Sequence, residues 1–320
     1  WGAKVNRPEF RDFNLLGGMS MPDGRAAAPT LPGARGVGDA LNSDAAMIER
    51  EFMIGWTQKH GRLLYTGNRS NSTVDPTSGD LIYGEPDGLD VLINSGYVDA
   101  ITGVAMSAAD SLIRNWNANV SANPVGLVRE LTYEFRYFDS LAAMSGVAPI
   151  TQAFVMPRML FYELTDIWPC AYMTYRCTLV GDTNQRVINV ADQTRMTEEM
   201  RNGNYLLIDG RKIPVIVDDA IPEEGTDGTF TADIYIVPLT ILGGRPVLYV
   251  EHFDYRNQYH EEMRNLFAVA NKAEASPDGR FFYVRRESGA CASIDVFERP
   301  RYVLDTPWLA GRLLNVSYTP

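Results

Sequence analysis

Lysine is nearly absent. Of 29 basic residues only Lys4, Lys59, Lys212 and Lys272 are lysine, and the other 25 are arginine. Positive charge is also outweighed, for the chain carries a formal charge of −11. A surface that grips nucleic acid needs a basic face, so the balance argues against that job, although not against standing near DNA without holding it. Histidine and cysteine number three each. Cys170, Cys177 and Cys291 make no disulfide framework and read as reduced, partly buried thiols of a cytosolic product. No apolar run approaches the ~18 residues of a membrane-spanning helix. The N-terminus lacks the layout of a secretory signal, so the Asn-X-Ser/Thr triplets at Asn68, Asn71, Asn119 and Asn315 are read as chance. The chain opens on Trp1 rather than Met, from which processing or trimming is expected.

What is there fits a globular protein of one large or two modest domains: 320 residues, 45% apolar and 22% charged. Residues 1–42 are the exception. Seven Gly and four Pro leave no sustained periodicity there, near the level at which a segment stops forming its own core. Yet Trp1, Phe10, Phe13, Leu15 and Leu16 lie in it. These residues are the candidate inter-subunit contacts, since an arm's apolar groups find cover on a neighbour. Arginine enrichment with lysine depletion points the same way, toward protein interfaces.

Ser43-Asp44 caps a predicted helix from Ala45 to about His60, with Ile48, Phe52 and Trp56 on one face. A short extended piece is expected from Asp87 through Ile93, and a helix over Ser107 to Trp116. Pro124 to Ser145 is the clearest helix. Asn123 stands at its N-cap, Pro124 at its first position and Gly146 at its stop, and an apolar stripe runs from Leu127 through Phe135 and Phe138 to Ala142. A strand at 152–156, a helix from Arg158 to Ile167 ending near Pro169, and a helical turn at 197–201 follow.

Asp209-Gly210 between Tyr205–Ile208 and Ile213–Val217 signals a hairpin. Strands are then expected at 230–239, 247–253, 281–285, 292–297, 302–304 and 313–318, with a helix at 255–267 and a turn at 276–279. Helices in the middle and strands toward the end predict an α+β fold.

Little in the sequence points to chemistry. His252 and His260 stand among Glu251, Asp254, Glu261 and Glu262, but their spacing matches no metal motif, and a solvated acidic face is the plainer reading. His60 is read as a favourable charge at a helix C-terminus. Cys170 and Cys177 lack the further ligands of a zinc site. Asp218 and Asp219 are adjacent, so in a strand they point to opposite faces and do not converge on one substrate. Gly17-Gly18 and Gly243-Gly244 match neither a phosphate loop nor a dinucleotide fingerprint. No catalytic residue, metal ligand or cofactor is predicted, which moves weight toward a structural or binding protein.

The succession of elements in the C-terminal third carries a resemblance. It runs from Leu207-Ile208-Asp209-Gly210-Arg211-Lys212-Ile213-Pro214-Val215, through Asp233-Ile234-Tyr235-Ile236-Val237-Pro238 and Gly243-Gly244-Arg245-Pro246, to Ile294–Leu304 and Thr306–Val316. Upstream, the helix ending Leu63-Leu64-Tyr65-Thr66-Gly67-Asn68 and the turn at Gly88-Leu89 extend it. This order resembles the major capsid proteins of tailed bacteriophages, over roughly residues 43–320. The resemblance implies the shell fold shared by tailed phages (the HK-ninety-seven type) and encapsulins. In it 1–42 is an N-terminal arm, 43–100 a peripheral domain with a long spine helix, 101–245 an axial domain and 246–320 the peripheral domain's returning strands. It further implies self-assembly into hexamers and pentamers of an icosahedral shell that encloses double-stranded DNA without sequence-specific binding. Portal and cement proteins would be partners, with no membrane involved. The subunits would assemble in the bacterial cytoplasm and end in the virion. The family's long hairpin between arm and spine helix has no counterpart in the pattern of residues 1–42. Two other readings stay open: an encapsulin-type compartment holding protein cargo, and a soluble α+β enzyme using the acidic/His cluster at 251–262.

Overall fold

The computed structural model describes residues 2–6, 54–71, 73–74, 81–99, 101–173, 190–226, 228–252, 254, 273–275, 280, 282–288, 291–298 and 300–319. In chain order the strands are β1 (Gly2–Asn6), β2 (Thr73–Val74), β3 (Leu81–Tyr83), β4 (Leu112–Asn119), β5 (Thr151–Met156), β6 (Tyr205–Ile208), β7 (Arg211–Val217), β8 (Glu224–Thr226), β9 (Thr229–Ile241), β10 (Arg245–Pro246), β11 (Leu248–His252), β12 (Ala273–Ala275), β13 (Phe282–Ser288), β14 (Cys291–Phe297), β15 (Pro300–Leu304) and β16 (Gly311–Tyr318). The helices are α1 (54–66), α2 (Leu89–Leu92), α3 (Pro124–Met144), α4 (Arg158–Met173) and α5 (Val190–Gly203). Helix and sheet are thus mixed, as the α+β reading expects. The chain divides into two compact units, 1–60 with 251–301, and 61–250 with 302–320.

The larger unit is built on an eight-stranded sheet. Its main order is β4-β16-β9-β5-β7-β6, with β8 and β10 paired to β9. The pairs β4/β16 and β5/β7 are parallel, and the other pairs are antiparallel. Side chains alternate across a strand, and here both faces are covered. Phe154, Met156, Ile234 and Ile236 enter one core cluster with Leu127, Leu131, Phe138, Leu160, Phe161, Leu164 and Trp168 of α3 and α4. Val155, Tyr235 and Val237 enter a second with Tyr65, Leu89, Ile93, Ile221 and Val247. Burial on both faces is why β5 is covered from Gln152 to Met156, and why β9, whose sequence reads as an alternating strand, is buried without a break from Ile234 to Pro238.

Local signals hold where they are self-sufficient. Asn123 Oδ1 accepts from Gly126 N at 3.1 Å at the start of α3, and Gly146 takes φ +71° just past its end. Asp209 (φ 51°) and Gly210 (φ 75°) make the two-residue turn of the β6–β7 hairpin, in the left-handed conformation such turns demand.

Several elements depart from expectation. Within the extended piece expected at 87–93 lies the helical turn α2, closed by Leu92 N to Gly88 O (2.9 Å) and Ile93 N to Leu89 O (2.8 Å). Over five residues, positions i and i+4 share a face in helix and strand alike, so Leu89 and Ile93 cannot distinguish them by burial. The helix expected at 107–116 is a 3-10 turn, Ser107–Ala109, followed by β4. Its Asn-rich sequence has poor strand propensity, and pairing with β16, almost 200 residues further along the chain, overrides it. Helix α4 does not stop near Pro169 but runs to Met173 with that proline inside. Proline removes the hydrogen bond to the carbonyl four residues back. That carbonyl, Thr165 O, accepts instead from Thr197 Oγ1 of α5 at 3.2 Å. The turn at 197–201 is part of the 14-residue α5.

In the smaller unit β1-β14-β13-β12 form an antiparallel sheet. Residues 2–6 therefore correct the view of the arm as wholly irregular: they pair with this chain's own β14, Gly2 opposite Asp295 and Asn6 opposite Cys291. Backbone pairing needs no hydrophobic periodicity, so composition did not reveal it. The predicted helix at 255–267 and the turn at 276–279 lie outside the described residues.

Candidate functional site

Among the described residues of the smaller unit, polar groups converge on one carboxylate, Glu298, whose side chain is fully buried. Trp56 Nε1 donates to its Oε2 at 3.0 Å, and His60 Nε2 lies 3.3 Å from the same oxygen. Arg280 Nε donates to Oε1 at 2.5 Å, with His252 Nδ1 3.2 Å from it. Both oxygens are thereby engaged, as a buried charge requires. Burial foremost holds the His60 imidazole below its ordinary pKa, against the pull of Glu298. His60 is thus no helix-terminal cation: α1 continues past it to residue 66, and the imidazole faces a carboxylate instead.

Within the acidic stretch 251–262, Glu251, His252 and Asp254 are described, and His260, Glu261 and Glu262 lie outside the described residues. Among the described residues no three His, Cys, Asp or Glu side chains gather as metal ligands. His252 turns to Glu298, a partner that the 251–262 window does not contain. Sequence reasoning missed Glu298 because nothing local marks it: it meets Trp56 across 242 residues.

The larger unit has a second network. Arg312 on β16 donates from Nη2 and Nε to Asp233 Oδ2 (2.6 and 2.9 Å), and its Nη2 lies 2.9 Å from Asp90 Oδ1. Tyr235 Oη donates to Asp90 Oδ1 at 2.7 Å. Burial raises the Asp90 carboxyl above the usual carboxylate range, with Arg312 opposing it. Asp218 and Asp219 behave as their strand-end position implied. Asp218 accepts from Tyr65 Oη (2.6 Å) and Ala220 N (2.9 Å). Asp219 accepts from Arg158 N (3.1 Å) and Nε (3.2 Å) at the start of α4. They go separate ways and bind elements together. Phe135 and Phe138 are core, as expected.

An open depression of about 430 Å³ is lined by Asn117, Glu224, Gly225, Thr231, Asn315 and Ser317. Its one ionisable side chain, Glu224, has no basic companion in that lining, and the Thr231 and Ser317 hydroxyls bond to each other at 3.0 Å.

Several described elements hold apolar side chains outward, among them the loop 97–106 and α3. The loop 97–106 is tied by Asp99 N to Val104 O (2.9 Å), Gly103 N to Asp99 O (2.8 Å) and Met106 N to Tyr97 O (2.6 Å). Asp99 Oδ1 also accepts from Ile101 N (2.7 Å). From this bonded frame Val98, Val104 and Met106 are exposed, and Ile101 is 95% exposed. On the outer face of α3, Tyr133 and Tyr137 stack with centroids 6.3 Å apart, and Met144 is 82% exposed. Trp1, Phe10, Phe13, Leu15 and Leu16 lie outside the described residues, as does the side chain of each of the three cysteines. Among the described residues no helix is long and apolar enough to cross a membrane.

No family model matches the chain, and no curated protein does. Among solved structures, "Satellite phage P4 procapsid including size determination (Sid) protein" is similar over 99% of this chain and 70% of that one. The identity is 11% and the TM-score 0.40, a likeness too slight to carry an argument.

Proposed function

We propose that the chain is a structural subunit, a major capsid protein of the tailed-bacteriophage kind. It assembles into hexamers and pentamers of an icosahedral shell around double-stranded DNA and resides in the virion. The observation that carries this reading is the outward apolar set on hydrogen-bonded elements: Val98, Ile101, Val104 and Met106 on a bonded loop, and Tyr133, Tyr137 and Met144 on α3. Apolar groups on ordered frames are ready-made contacts, and they need little ordering entropy on association. The succession of sequence elements, the arginine-over-lysine bias and the net charge of −11 support it. A negative wall confines DNA without sticking to it. The domain assignment goes with the proposal: arm 1–42, peripheral domain 43–100 with 246–320, axial domain 101–245. Strand β16, which this assignment gives to the peripheral domain, shares a sheet with β4 and β9 of the axial segment. Portal and cement proteins are proposed partners.

Sedimentation velocity and electron microscopy of the purified chain test this, with Ile101→Asp alongside. The expected outcome is capsomers or shells for the wild type, and loss of assembly at unchanged melting temperature for the variant. A wild type that stays monomeric at high concentration refutes the reading. Shells filled with protein rather than DNA in infected cells point to the compartment alternative.

A further inference from the structure

Helix α3 buries Leu127, Val128, Leu131, Thr132, Glu134, Phe135, Phe138 and Ala142. Thr132 settles its hydroxyl on Val128 O at 2.7 Å. Glu134 has no such outlet. Its side chain is fully buried, and neither carboxylate oxygen accepts a hydrogen bond. A buried carboxylate without donors is costly while it stays ionised, so such groups neutralise instead.

The neighbours define the problem. Among the described residues, the charged groups acting on Glu134 are Glu130 on its own helix and Arg114 on β4. The Arg114 guanidinium is hydrogen-bonded to Glu130 through Nη1. Its Nε stops 3.9 Å from Glu134 Oε1. Tyr133 lies beneath that guanidinium, 4.7 Å from ring centroid to Cζ. Two residues along β4, Trp116 Nε1 is buried and also without a partner. The seam thus holds two carboxyl groups and one cation, and the cation is committed to the more exposed carboxyl.

We propose that Glu134 is a proton-operated latch on the α3–β4 seam. Protonated, it lies neutral in the seam while Arg114 holds Glu130. When it gives its proton to solvent, the new carboxylate draws Arg114 from Glu130 and reorganises the packing of α3 against β4 around Trp116. Burial first, then the charge of Glu130, pushes the Glu134 carboxyl up to about 8, with Arg114 opposing. The folded state therefore binds this proton more tightly than the unfolded chain. Its stabilising contribution is full below the ordinary carboxylate range and is lost as pH rises through about 8. The latch does not depend on what the chain assembles into.

The test follows tryptophan emission and melting temperature from pH 5 to 9. In the wild type the emission is expected to change with a midpoint near pH 8, while the melting temperature falls from the ordinary carboxylate range up to about pH 8 and levels off above it, and in Glu134→Gln both changes disappear. Trp116→Phe abolishes the emission step and leaves the fall in melting temperature. Glu130→Gln removes the rival for Arg114 and moves the midpoint at least one unit toward acid, a tenfold change in proton affinity. The last variant keeps the test alive if Glu134→Gln does not fold. A wild type with no transition between pH 6 and 9, an unaltered step in Glu134→Gln, or an unmoved midpoint in Glu130→Gln overturns the proposal.

Discussion

A close approach between α3 and the sheet predicts its own reversal. Gly311 begins β16, and a Cβ built there would stand 2.8 Å from Phe138 Cζ, 3.0 Å from its Cε2 and 3.2 Å from Leu112 O. Phe138 is fully buried at the centre of the core, so its ring has no free direction in which to retreat. In the wild-type background Gly311→Ala should therefore cost about 1–3 kcal/mol, the usual cost of overpacking. Phe138→Leu removes the two ring atoms that make the clash, at a cost of roughly 1–2 kcal/mol, below the ~3–5 kcal/mol of Phe→Ala. In that background Gly311→Ala keeps its entropic benefit of about 0.4–1 kcal/mol from a stiffer unfolded chain and loses most of its penalty. The alanine should then be neutral or stabilising, giving a coupling of at least ~1 kcal/mol, within the range for touching residues. Urea unfolding followed through the emission of buried Trp168 measures all four corners of the cycle. If Gly311→Ala costs the same in the Phe138→Leu background as in the wild type, the ring contact is not what excludes a side chain at position 311, and the packing argument fails.

Two further perturbations concern the buried carboxylates. Arg312→Leu leaves Asp90 and Asp233 facing each other without their shared cation and should destabilise the larger unit by ~3–5 kcal/mol at pH 8, the range for a broken buried pair. Arg312 is what holds the raised Asp90 carboxyl down, so its loss lifts that group further. The melting deficit against wild type should then shrink as pH falls from 8 to 5, and a deficit independent of pH refutes the electrostatic account. Glu298→Gln keeps the shape but turns one acceptor into a donor facing two donors already in place. With Arg280 43% exposed, the cost should fall near the low end for a charged hydrogen bond, about 2 kcal/mol. Thermal unfolding read through Trp56 checks it, and an unchanged midpoint means that Glu298 does not organise the smaller unit.

Some of this was legible along the chain because its physics is local. Asn123, Pro124 and Gly146 delimit α3 through the chemistry of helix ends, and Asp209-Gly210 makes its turn whatever surrounds it. Asp218 and Asp219 stand just past the end of β7, so the turn there, rather than strand alternation, sends them to different partners. The strands at 230–239, 292–297 and 313–318 announced themselves by β-rich runs, so the mixed helix-and-sheet class followed from sequence. Tertiary structure decided the rest, because the deciding partner lies far away. Strand β4 exists through pairing with β16, β1 through pairing with β14, and Pro169 stays within α4 because Thr197 takes the carbonyl it frees. Glu298 and Glu134 look like ordinary acidic residues in the sequence. Only the fold brings two histidines, an arginine and an indole to the first, and buries the second beside an arginine already taken. Periodicity reports which face a residue occupies; charge balance across a seam is settled by residues that meet in space alone.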